Sequence, residues 1–310
     1  MAGDINNDLG SVIGQCFREV ADVLSEQVTD GSDEANDDSP QSAEAAAFYE
    51  RSGGQVDEAN ARNPLELTGM LLVTQLFAVA DFLRGIGLIG VHGKHRELPV
   101  AFSAAPVARA LLESLAQIRW LVEPDIGFEE RVRRLIDDML RDHRSRHRVV
   151  VPAQTDGVDV VLDTEGIAEV CDLYGVKYRW GKPDAKTGIR FPVIEGAARP
   201  SAFDLLSTSM PSSEYEHLGA VLYHLMSDVA HASTQGLLGR ASVSADQNGL
   251  SLGFSRIEIL KGVAPVLWAL DDPVRGLYAY LGWDESRFRD VFGASVTRLS
   301  DVIVDYSSKA

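Results

Sequence analysis

The sequence predicts an all-α protein, a multi-helix, bundle-like single domain preceded by an acidic, partly disordered N-terminal arm. Three observations carry this. Apolar side chains recur at helical spacing through stretch after stretch of the 310 residues. Capping residues and prolines stand where such helices would begin or end. Strand-like patterns are confined to VDVVL (158–162) and NGLSLGFS (248–255), enough for at most a small hairpin.

Taken in order, residues 11–28 place Val12, Ile13, Phe17, Val20, Val23 and Leu24 on one side of a short amphipathic helix. TDGSDEANDDSPQSAEA (29–45) has a linker composition, polar and acidic, with little to bury. Asn63–Pro64 pairs a capping residue with a proline suited to a first helical turn, which opens a helix over 64–89. Further helices are expected over 102–124, 128–150, 164–176 and 212–238, then through RIEILKGVAPVLWALDDPVRGLYAYLGW and the tail from Asp284. The second of these puts Val132, Leu135, Ile136, Met139 and Leu140 on its apolar side. Asp271–Asp272 before Pro273 reads as a helix stop. Residues 177–200 form a long Gly/Pro-rich connection, of a length that usually carries function or motion. The expected organisation is an arm over 1–59, with one helix and a linker, and an all-helical domain over 60–310.

Composition narrows the function classes. The formal charge of −17 is unevenly placed: residues 1–59 hold 14 acidic and 2 basic side chains, and the remaining body is only mildly acidic. Broad DNA or RNA affinity needs a cationic footprint and is not expected. Cys16 and Cys171 are the only cysteines, too few for a disulfide scaffold or a cysteine-based zinc site. A reducing cytoplasm fits them, and the polar, acidic opening MAGDINNDLGS lacks a basic-then-apolar leader pattern. The apolar run MLLVTQLFAVADFLRGIGLIGV (70–91) is interrupted by Asp81 and Arg84, so a buried core helix is expected there and no membrane span.

Four constellations could carry chemistry. RDHRSRHR (141–148) is the most charged short stretch in the chain. Asp137–Arg141 and Asp142–Arg146 at i,i+4 allow self-neutralisation along an exposed helix flank. Arg141, Arg144 and Arg148 on one face also suit a phosphate or RNA contact. Second, His217, His224 and His231 lie along one helical stripe, with Asp228 between the last two. They read as boundary histidines bonded to neighbouring helices, or as a functional group with His231 foremost. Third, Arg109 and Glu113 sit at i,i+4 in a very apolar helix, as a buried ion pair or as part of a polar cluster facing a cavity. Fourth, Asp137-Asp138-x3-Asp142 gathers carboxylates of the kind that hold Mg²⁺.

Three of these patterns resemble known families. Arg141–Asp142–x4–His147 resembles the Arg-x(4–6)-His pattern of the HEPN superfamily of helical nucleases and nucleotide-binding proteins. That resemblance implies an arginine and a histidine acting together on RNA, often across a dimer. On a continuous helix, six residues at about 100° each set Arg141 and His147 about 120° apart. ARALLESLAQIRWLVEP, FEERVRRLI and YHLMSDVAHAS, in that order, look like a family of uncharacterised helical proteins common in actinobacteria. Its pattern falls here on Arg109, Glu113, Trp120, Glu130, Arg131, Arg134, Tyr223, Ser227 and His231, and implies no particular activity. The 137–142 carboxylates resemble the aspartate-rich motif of class I terpene cyclases, which would imply Mg²⁺ and an isoprenoid diphosphate; the second metal motif of that family is missing.

The resulting expectations are three. One is a HEPN-like helical protein that binds or cleaves RNA, or binds nucleotide, without a cofactor. A second is a Mg²⁺-dependent terpene-cyclase-like enzyme using Asp137, Asp138 and Asp142. The third is a non-catalytic interaction protein. Candidate site residues for the first are Arg141, His147 and His231; Arg109, Glu113 and Tyr223, together with His231, are candidates for a cavity wall of a different, unassigned chemistry. A homodimer through the arm helix, and a phosphate-bearing ligand at the local basic patch, are the expected partners.

Overall fold

The computed structural model describes residues 2–29, 36–53, 63–92, 101–150, 164–183, 188–196, 199–208, 218–230, 241–246, 249–254 and 262–309. The described residues are predominantly helical, as the periodicity predicts. The helices are α1 (Ala2–Thr29), α2 (Pro40–Ser52), α3 (Pro64–His92), α4 (Ala101–Leu121), α5 (Phe128–Val150), α6 (Thr164–Leu173), α7 (Ala202–Thr208), α8 (Leu218–Ala230), α9 (Asp271–Leu281) and α10 (Ser286–Lys309). Two antiparallel hairpins interrupt them. The strands β1 (Tyr178–Trp180) and β2 (Pro192–Ile194) pair within the long connection, and β3 (Ala241–Asp246) pairs with β4 (Gly249–Phe254). Strand β4 falls within NGLSLGFS, but its partner β3 lies in a stretch that carried no strand signal; VDVVL lies outside the described residues.

The N-terminal segment differs from the expected arm. Helix α1 is built into the main core, with Ile13, Cys16, Phe17, Val20, Ala21 and Leu24 fully buried against α3 and α10. From Ile13 to Leu24 its apolar face is buried inside the same chain. The α1–α3 crossing is close at Gly87, where an added Cβ would lie 2.8 Å from the Gly14 carbonyl and 2.6 Å from Arg18 Cγ. The second half of the expected linker is also ordered as α2. Ser39 caps it by accepting the Ser42 N–H at 3.1 Å, Pro40 occupies its first turn, and Gly53 ends it in the left-handed region at φ 58°. Asn36 ties this stretch to the far end of the chain through its N–H to the Leu281 carbonyl at 3.0 Å.

Asn63 does cap α3, its Oδ1 accepting the Leu65 N–H at 2.9 Å. Pro64–Ile89 is long and apolar enough to cross a bilayer. It also carries the ion pair Arg84–Asp22 to α1, and it buries Leu72, Leu76, Val79, Leu83 and Ile86 in the core. One local reading is corrected. Asp271, Asp272 and Pro273 begin α9 rather than stop a helix, following a 3₁₀ segment Ala264–Leu270; the acidic pair sits at the positive end of the new helix. On α8, Leu222 and Met226 are buried while Val221 and Leu225 are exposed, because α8 packs on α4 and α7 along its other edge.

The joint between α4 and α5 explains much of the charge in FEERVRRLI. Helix α4 ends at Leu121, and its last carbonyls need donors. Arg131 is only 2% exposed and donates to the Leu121 carbonyl. It pairs with Glu44 of α2 at 2.8 Å and stacks 4.3 Å from the Tyr280 ring centroid, while the Tyr280 hydroxyl donates to Glu44 at 3.1 Å. Arg134 donates to the Trp120 carbonyl at 2.5 Å, covers the Trp120 ring at 3.7 Å, and pairs with Glu123 and Glu130. Trp120, Glu130, Arg131 and Arg134 of the family-like pattern thus serve as an internal helix cap. Their place is structural.

Candidate functional site

Arg109, Glu113 and Gln117 lie on successive turns of α4, and eight residues at 1.5 Å rise make a polar row of about 12 Å on an otherwise apolar helix. At its upper end, Arg109 Nε donates to Glu113 Oε1 at 3.0 Å. The Tyr223 hydroxyl of α8 donates to the same oxygen at 3.0 Å, and the Arg109 guanidinium lies 5.6 Å from the Tyr223 ring centroid. Three of the sequence-selected residues therefore meet. Burial, then the Glu113 carboxylate, raise the Tyr223 phenol above its ordinary value. Burial opposes the Arg109 charge, but Tyr223 and Glu113 offset it, so its pKa is raised. Ser227 is one turn beyond Tyr223 on α8. His231 and His217 lie outside the described residues, and His224 is exposed, 3.7 Å from Asp228.

The lower end of the row joins side chains that the sequence did not bring together. Gln75 Nε2 of α3 donates to Gln117 Oε1 at 2.9 Å, and the Gln117 amide donates onward to Asp138 Oδ2. Arg199 binds the other oxygen of Asp138, and its own N–H reaches Asp137 Oδ2 at 3.4 Å. Burial raises the Asp138 carboxyl above the usual carboxylate range, and the Arg199 charge offsets this only in part. These groups form one wall of a cleft of about 480 Å³, which Leu71, Met139, Arg141 and Asp142 complete. Met139, expected inside, is half-exposed here. A buried carboxyl with a perturbed pKa, set beside a cation in a cleft, marks a functional-site candidate.

The basic run is put to a different use. Helix α5 is continuous through Val150, so no break brings Arg141 and His147 together within one chain; the His147 and His143 side chains lie outside the described residues. Arg141 is exposed and reaches the Arg199 carbonyl at 3.4 Å. Arg144 donates to the Pro192 carbonyl and lies 5.7 Å from the Phe191 ring centroid. The two arginines thus hold Phe191–Pro192 and Arg199 against α5, with Arg199 at the cleft. As for Mg²⁺, the described residues contain no group of three or more His, Cys, Asp or Glu side chains placed to share an ion. The two Asp138 oxygens are taken by Arg199 and the Gln117 amide.

Gln117 carried a signal, the i,i+4,i+8 continuation of Arg109 and Glu113. Gln75 and Arg199 carried none, since each joins the site from a distant part of the chain. Comparison of the chain with protein-family models, curated proteins and solved structures finds no match.

Proposed function

We propose that this protein binds a nucleoside or nucleoside monophosphate in the cleft between α3, α4 and α5, as a binding rather than an RNA-cleaving form of the HEPN-like reading. The observation that carries it is the row of alternating donors and acceptors, Gln75–Gln117–Asp138–Arg199, lining a solvent-open cleft with Leu71 and Met139 as apolar sides. Amides and a carboxyl at the floor match the hydrogen-bonding edge of a heterocycle, and apolar sides match its faces. Arg141 at the mouth supplies a guanidinium for one phosphate. Asp142 at the same mouth and the net acidity of the chain oppose further phosphates.

Calorimetric titration with nucleosides and their mono- and triphosphates tests this. Nucleoside and monophosphate should bind, and triphosphate should bind more weakly. Arg141→Gln, whose amide can still donate to the Arg199 carbonyl, should weaken the monophosphate about tenfold, or about 1.4 kcal/mol, and leave the nucleoside unchanged. Gln117→Leu should weaken both. Absence of saturable binding by any nucleoside removes the proposal. RNA cleavage that persists in EDTA and fails with His147→Ala would favour the nuclease form instead.

A second reading, a partner-binding protein, is favoured by one observation. Met70, Phe77 and Leu88 are about half exposed, and at about 100° per residue they fall on one side of α3. Sedimentation of the wild type against Phe77→Glu tests self-association through that side.

A further inference from the structure

A second and larger cavity, of about 640 Å³, opens between the end of α2, the start of α5, the end of α6 and the Glu195–Gly196 turn. Its apolar wall is aromatic. The Phe48 ring meets Phe128 edge-on at 6.4 Å and Tyr174 edge-on at 5.7 Å between centroids. Its charged lining holds four carboxylates against three cations. Two of the cations are already engaged there. Arg51 pairs with Glu129, and Arg133 grips Glu130 with two bonds of 2.6 and 2.7 Å. Those bonds hold the Glu130 carboxyl below its ordinary range despite burial. Asp172, which accepts the Tyr178 hydroxyl at 3.4 Å, and Glu195 then remain, with Lys177 as the balancing ammonium of the lining.

Two further features give the cavity the same sign. Helix α6 ends at Leu173, so the negative end of its dipole faces the cavity beside Asp172. Arg51 lies over the Phe128 ring at 5.8 Å, so this wall already accepts a cation from the chain itself. Aromatic faces, surplus carboxylate and a helix C-terminus each favour positive charge and disfavour an anion.

We infer that this cavity is a binding site for a small organic amine, whose ammonium lies near Asp172 and Glu195 and whose apolar body rests on the Phe48–Phe128–Tyr174 wall. The site is independent of the α3–α4–α5 cleft, and none of its lining residues belongs to that cleft.

The test titrates the full-length protein with phenethylamine, and in parallel with phenylacetate, which has a similar body and the opposite charge. Phenethylamine should bind saturably and phenylacetate should not. Asp172 and Glu195 are exposed, so Asp172→Asn/Glu195→Gln should fold as the wild type does while binding phenethylamine about tenfold more weakly. Nucleoside binding, measured on the same variant, should be unchanged. The inference is overturned if phenethylamine shows no saturable binding up to about 10 mM, beyond the millimolar affinity of even weak ligands. It is equally overturned if phenylacetate binds as well, or if the double variant binds phenethylamine undiminished.

Discussion

Replacing Arg131 by alanine should be among the most damaging single changes in the body of this protein. The guanidinium is almost wholly buried, and Glu44 opposite it is buried for the most part, its side chain 18% exposed. Removing the cation strands a carboxylate whose remaining partner is the Tyr280 hydroxyl, and it takes a donor from the Leu121 carbonyl that ends α4 and from the Glu123 and Ile126 carbonyls of the following turn. Breaking a buried ion pair from one side costs about 3–5 kcal/mol. The stacking on Tyr280 overlaps with that figure and is not added to it. At about 2–4 °C per kcal/mol, Tm should fall by about 6–20 °C in a calorimetric or dichroism-monitored melt. The charge-balanced pair Arg131→Met/Glu44→Leu should recover much of the loss, because replacing both partners leaves no stranded charge. Arg131→Lys should fall between, since an ammonium cannot span Glu44 and these carbonyls with one planar fork. A loss below about 1 kcal/mol for Arg131→Ala would refute the reasoning, placing Arg131 among weak surface pairs. So would a double variant as unstable as the single one.

Gly87→Ala should destabilise by about 1–3 kcal/mol in urea unfolding, because the Gly14 backbone carbonyl cannot retreat from the new Cβ as the Arg18 side chain can. Both thiols are fully buried; burial raises Cys16 and pushes Cys171 up to about 11. Neither should react with a thiol reagent at about pH 8 in the native state, and both should react in denaturant. Rapid native labelling would contradict this. Asp138 and Glu130 should show opposite pH signatures. Burial lets folded Asp138 keep its proton to higher pH than the unfolded chain does. Its contribution is therefore full at low pH and lost as pH rises through its raised pKa. Arg133 depresses Glu130, so its contribution is present above the ordinary carboxylate range and lost as pH falls through the lowered value. Stability differences from Asp138→Asn and Glu130→Gln, measured over about pH 3–8, should slope in opposite directions.

The helices were legible because their signals are local. Spacing over three and four residues marks an apolar face, and a cap such as Asn63 acts two residues away on Leu65. For the same reason the Arg109–Glu113 pair was legible, and its extension to Gln117 was available one turn on. Helix α1 was readable as a helix; which surface its apolar face would cover was not, since hydrophobic attraction has no direction in sequence. The acidic content of 29–45 likewise concealed α2, which is held by Ser39 and by contacts with Leu65 and Leu281.

By itself, then, the sequence determined where α3 and α5 begin, the apolar face of α1, and that Arg109 and Glu113 share one side of α4. Only the tertiary structure decided how the charges are used. It assigned Arg131 and Arg134 to the end of α4, and Arg141 and Arg144 to the Arg199 and Pro192 carbonyls. It also assembled the cleft from pairs separated by 42, 21 and 61 residues. A charged side chain has many chemically equivalent partners along a chain. Which one it meets depends on helix packing, where desolvation makes the wrong partner costly and a single arrangement wins.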